Sequence, residues 1–215
     1  METDLLDELW ALETTAVEAL PDAEFVRPTR AEAWTVRDLL FHQLLDAQRS
    51  LMAFASPTDA DPDADEVSYW KRYRPSEGDG GAAHAEFVRA AAAAYSRPQD
   101  LVDHWRTASG AAIRAARAAD PAGQVETQGH VIAVPDFVST LVLEATVHLM
   151  DLTLEIPGGP PPQTALALTR RVLEGLYGEP LPTAWDDTGA VLKGTGRVPL
   201  DASDDVDQPR FPLLG

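Results

Sequence analysis

The chain has 215 residues, room for one substantial core or for one core and a small appendage. Its formal charge of -18, from 35 acidic and 17 basic residues, excludes phosphate-backbone binding, which needs a basic patch. Cysteine is absent, which excludes disulfides, thiolate metal sites and cysteine nucleophiles. Metal ligands must then be His, Asp or Glu, and any thiol must come from outside. No run reaches the apolar length of a membrane span. The opening METDLLDELW is acidic where a signal peptide is basic, so a cytoplasmic protein is expected.

Residues 3–20 carry Leu5, Leu6, Leu9, Trp10, Leu12, Ala16, Val17 and Leu20 at helical spacings, and Pro21 ends this first helix. A polar connection runs to Trp34. The second helix opens at Thr35, with Asp38 three positions on as in a capping box. Val36, Leu40, Leu44, Ala47 and Leu51 form its apolar face, and His42, Asp46 and Arg49 form a polar stripe at its margin. Residues 56–81 are rich in Pro, Asp and Gly and read as a long loop, with Tyr69, Trp70 and Tyr73 packing it down. Helices follow at 82–95 and from Pro98 to about residue 119. Residues 125–134 read as a short extended connection carrying His130.

Residues 135–156 predict one long helix, apolar over nearly its whole circumference. At about 100° per residue, Glu144, His148 and Asp151 share one narrow stripe, with Glu155 a turn further on. Ser139, Thr146 and Thr153 line the roughly opposite side. Such a helix belongs deep in a bundle. Two carboxylates and an imidazole there require a bound metal or a hydrogen-bonded cluster. The proline- and glycine-rich segment 157–162 marks the boundary between a first unit, 1–156, and an extension, 157–215. That extension reads as an amphipathic helix at 164–177 followed by mixed strand and loop.

Glu144 and His148 are four apart, so they leave one helical face and offer two ligands. A third must come from elsewhere, and of the histidines at 42, 84, 104, 130 and 148, His42 on the capped second helix is the best candidate. Two histidines and one carboxylate leave positions open for water and substrate. That set suits catalytic zinc and equally iron(II) or nickel(II). Asp46 and Asp151 are candidate acceptors for the imidazole N–H groups. His84, His104 and His130 read as structural or exposed. The plain alternative is a solvated acid–histidine pair without metal.

The segment WTVRDLLFH at 34–42, followed about a hundred residues later by EATVHLMDL at 144–152, resembles the DinB-like superfamily. Within it, the pair is similar to the mycothiol-dependent maleylpyruvate isomerase branch, with its W-T-V-R-D-L-x-x-H and E-x-x-V-H-x-x-D-L signatures. The resemblance covers the first 155 or so residues. The tail, from residue 165 through Trp185 and the Gly194-Thr195-Gly196-Arg197 turn, also resembles the short C-terminal part of such proteins. One departure is Ala33, where a glycine commonly precedes the tryptophan. The isomerase's fuller C-terminal domain is abbreviated here, so the resemblance does not extend to maleylpyruvate as the substrate.

The resemblance implies a mainly all-α fold, an up-and-down four-helix bundle with a small mixed α/β C-terminal extension. It implies a divalent metal, commonly zinc, held by His42, Glu144 and His148, and mycothiol or a similar thiol as cosubstrate. A thiolate on the open position would attack a small electrophile, for thiol transfer or cis-trans isomerisation. Asp151 or Asp46 would relay the proton, and Arg197 would pair with a substrate carboxylate. Three classes stay open: this enzyme, a metal-binding relative without turnover in a stress-response or sequestering role, and a helical interaction module. The expected partners are a small thiol and an electrophile, with homodimer formation open and neither nucleic acid nor membrane.

Overall fold

The computed structural model describes residues 2–72 and 80–214. Four long helices enclose the core: α1 (Glu2–Glu18), α2 (Val36–Phe54), α5 (Pro98–Ala118) and α6 (Val134–Leu152). Each packs on two others, in the ring order α1, α5, α2, α6, which is the expected four-helix bundle. Trp10 and Trp105 meet edge to face across α1 and α5 with centroids 5.6 Å apart, and Trp105 Nε1 donates to Thr14 Oγ1 at 3.0 Å. The short helix α3 (Ser68–Arg72) and α4 (Gly80–Ala93) lie between α2 and α5 in the chain, and α4 packs on α2. The segment expected as one loop thus contains α3, whose Tyr69 and Trp70 are buried; Tyr73 lies outside the described residues.

The expected extended connection is a hairpin. β2 (Gln124–Thr127) and β3 (His130–Ala133) pair antiparallel, and β1 (Pro57–Thr58) adds to β2. Gln128 and Gly129, both at positive φ, make the two-residue turn that suits the twist of a hairpin. Val125 and Ile132 face each other on its buried side.

Two expectations need correction. Helix α6 ends at Leu152, not 156: Thr153 caps it, its hydroxyl bonding back to the Leu149 carbonyl, and Pro157 prevents resumption. Glu155 is therefore off the stripe, exposed and 3.6 Å from Arg27. The tail contains no strand among the described residues; α7 (Gln163–Tyr177) is followed by α8 (Asp187–Gly194) and loops. Helix α8 was hidden in the sequence by its glycines, but Asp186 caps it by accepting from Gly189 N at 2.7 Å. Helix α7 packs on α6 and joins the bundle core through Ala165, Leu166, Leu168 and Val172.

Candidate metal centre

The Thr35 cap fixes where α2 starts and hence which way His42 faces. Asp38 N donates to Thr35 Oγ1 at 3.4 Å, and Thr35 N donates back to Asp38 Oδ2 at 3.0 Å. Ahead of the cap, Ala33 takes a left-handed φ of 65°, the conformation for which glycine is the natural choice. This tight loop, closed by Thr29 N donating to the Trp34 carbonyl at 3.1 Å, lays the Trp34 ring against His42 with centroids 4.9 Å apart.

His42 and Asp46 are buried, not at a solvated margin, because α6 and α4 pack on α2 beside them. Opposite them α6 presents Glu144 and His148. His148 Nε2 lies 2.9 Å from Glu144 Oε2, and His42 Nε2 lies 3.9 Å from the same oxygen and 3.5 Å from Asp46 Oδ2. One ligand atom from each of His42, Glu144 and His148 falls within a sphere of mutual separations no greater than 4.8 Å. A divalent ion fits such a set. Asp46, Glu144 and Asp151 are balanced here by Arg49, Arg197 and a protonated His148, so a divalent cation would take the place of the His148 proton. Asp46 Oδ2 is buried without a hydrogen-bond partner, which favours the same conclusion.

The α6 half is a chain of ions. His148 Nδ1 lies 3.1 Å from Asp151 Oδ2, and Arg197 Nη2 lies 3.1 Å from the same oxygen. Burial opposes charge on His148, but Asp151 and Glu144 outweigh it and carry the ring up to about 10. Burial likewise opposes ionisation of Glu144 and Asp151. The imidazoles outweigh it for Glu144, and His148 with Arg197 for Asp151, holding both below the usual range. A cation held by His148 Nε2 would have to displace the proton on that nitrogen. Arg197 arrives from the turn after α8, where Gly196 at φ 71° bends the chain and Arg197 N bonds to the Leu192 carbonyl at 2.8 Å. Its Nη1 bonds to the Thr195 carbonyl at 2.8 Å, so pairing with a substrate carboxylate would mean releasing Asp151 or this turn.

Two contributors are not placed at the centre by the sequence: His84, which reads there as structural or exposed, and Glu13. His84 on α4 places Nε2 3.3 Å from His42 Nδ1, and burial together with neighbouring His42 lowers its pKa. Glu13 on α1, only 1% exposed, accepts from Gln43 Nε2 at 2.8 Å, while its other oxygen has no hydrogen-bond partner. Burial pushes its carboxyl up to about 8, against the nearby His148 and the Gln43 hydrogen bond. No local motif marks these residues, though a histidine in an alanine-rich helix and a glutamate on an otherwise apolar face of α1 were the available signals. His104, by contrast, bonds to Tyr95 and Gln48 at the surface, and His130 lies 3.3 Å from Asp63, away from the centre.

The mycothiol maleylpyruvate isomerase N-terminal domain family matches residues 6–153. Among solved structures, a crystal structure of a histidine-to-alanine mutant of the mycothiol-dependent maleylpyruvate isomerase shares the fold. Its TM-score is 0.55 at 14% identity, covering 82% of this chain and 68% of that one. No curated protein matches.

Proposed function

The chain belongs to the mycothiol maleylpyruvate isomerase N-terminal domain family, and on that premise we propose a divalent-metal-dependent, thiol-using enzyme. Its reaction is transfer of a low-molecular-weight thiol, mycothiol or a relative, to a small electrophile, or cis-trans isomerisation of that electrophile. The supporting observation is the convergence of His42, Glu144 and His148 from two helices within 4.8 Å of one another.

Zinc suits two imidazoles and one carboxylate, and nickel or iron would be accepted by the same donors. When bound, the ion supplies a Lewis-acid position that favours the thiolate form of a thiol held there. The chain's own residues do the rest. His42, Glu144 and His148 would hold the ion, and its remaining coordination positions would be for the thiol. Asp151 fixes the far N–H of His148, and Arg197 keeps Asp151 ionised. Asp46, whose Oδ2 has no hydrogen-bond partner, is our proposed acceptor of the thiol proton. Residues 1–156 form the metal-holding unit in this reading, and 157–215 an extension that contributes Arg197. A cytoplasmic setting completes the proposal, with homodimer formation open.

The test is metal analysis of protein purified without an affinity tag. Wild type should carry close to one equivalent of divalent metal, and His42→Ala and His148→Ala should each lose it. Unchanged metal content in both variants would falsify the site. A panel of thiols and electrophiles, compared between wild type and Glu144→Ala, then separates an enzyme from a metal-binding protein without turnover, for which the two rates coincide.

A further inference from the structure

An imidazole that binds a metal through one nitrogen needs the other nitrogen's hydrogen fixed by an acceptor. For His148 the acceptor is the Asp151 carboxylate. For His42 the geometry differs. Its Nε2 faces Glu144 and Asp46, while Nδ1 faces Nε2 of His84 at 3.3 Å. Two ring nitrogens in contact can share one hydrogen only, since two N–H groups or two lone pairs would repel. With His42 Nε2 turned to an ion, that hydrogen belongs to His42 Nδ1, and His84 must offer a lone pair.

We propose that His84 is a positioning residue for the metal centre, accepting the Nδ1–H of His42 and so fixing the tautomer and ring angle in which His42 Nε2 faces the ion. The two rings meet edge to face, 5.5 Å between centroids at 78°. Trp34 touches both, 4.9 Å from His42 and 6.1 Å from His84, and limits how either ring can turn. His84 thereby ties α4, which packs on α2 outside the ring of four helices, to the ligand set. The inference rests on the metal reading above.

Zinc affinity, measured by competition with a chromophoric chelator, tests it on wild type, His84→Ala and His84→Gln, with circular dichroism confirming the fold of each. His84→Ala should weaken zinc binding about 10- to 100-fold. His84→Gln should restore most of the loss, because the Gln Oε1 falls near the position of the histidine Nε2 and can accept the same hydrogen. In zinc-loaded protein, nitrogen-15 spectra should show a protected Nδ1–H on His42 in wild type and His84→Gln, and rapid exchange in His84→Ala. Equal affinity in all three proteins overturns the role of His84 while leaving the metal site standing. A glutamine variant as weak as the alanine variant also overturns it. Absence of zinc binding in wild type overturns the metal reading itself and this inference with it.

Discussion

The two imidazoles of the centre stand 4.9 Å apart, nearly perpendicular, yet opposite chemistry holds them. On the α6 side, His148 is gripped by Asp151, which has no exposed surface, and Asp151 is gripped by Arg197. On the α2 side, His42 meets Asp46 on one edge but relies on a neutral ring, half-buried His84, and on stacking by Trp34 for the other. Buried ions orient strongly but depend on one another, since an ion left without its partner stays desolvated. Neutral ring contacts orient more weakly and can be altered without collapse. The His148 half should therefore be the brittle one and the His42 half the adjustable one.

The largest effect that tests this difference is expected from Asp151→Ala. It leaves buried His148 and partly buried Arg197 without their shared carboxylate and should cost roughly 3–5 kcal/mol of stability in urea unfolding. His84→Ala should stay within about 1 kcal/mol of wild type in the same assay. Equal losses would erase the contrast.

A second effect concerns the acid hidden behind the His148 half. Folded Glu13 holds its proton up to about pH 8, whereas the unfolded chain releases it near the ordinary value of 4.5. Its contribution to stability is thus fully present below pH 4.5, falls as pH rises, and is lost above about pH 8. Between pH 5 and pH 7 wild type should lose about 2 kcal/mol relative to Glu13→Gln, which has no proton to release there. Parallel stability curves for the two proteins would mean that Glu13 is not the titrating group.

The smallest effect lies on the His42 half. Ala33 carries a left-handed backbone directly before Trp34. Ala33→Gly should stabilise the protein by roughly 0.5–1 kcal/mol, read as a rise in melting temperature. A loss instead would show that the alanine methyl supports the Trp34 loop more than the strained φ harms it.

The parts of this centre that were legible in the sequence are those written in helical spacing. Glu144, His148 and Asp151 share one face of a helix too apolar for a surface, and Thr35 with Asp38 announces the start of the helix that carries His42. The residues that were not legible depend on which helices become neighbours. His84 sits 42 positions from the ring it touches, and nothing in its alanine-rich surroundings marks one face as special. Glu13 interrupts the apolar face of α1, but the sequence does not say that this face meets Gln43. The end of α6 was overrun for a related reason: the apolar pattern continues to Ile156, which is buried, while the backbone has already left the helix at Thr153.

Two of the three proposed ligands, His42 and Glu144, are separated by about a hundred residues, and the intervening chain holds α4, α5 and the hairpin. An ion gripped at both positions would close that whole stretch into a loop, and a cross-link of such span acts chiefly by restricting the unfolded chain. On the proposed metal reading, metal supply would then govern the endurance of the fold, through a latch between its second and sixth helices.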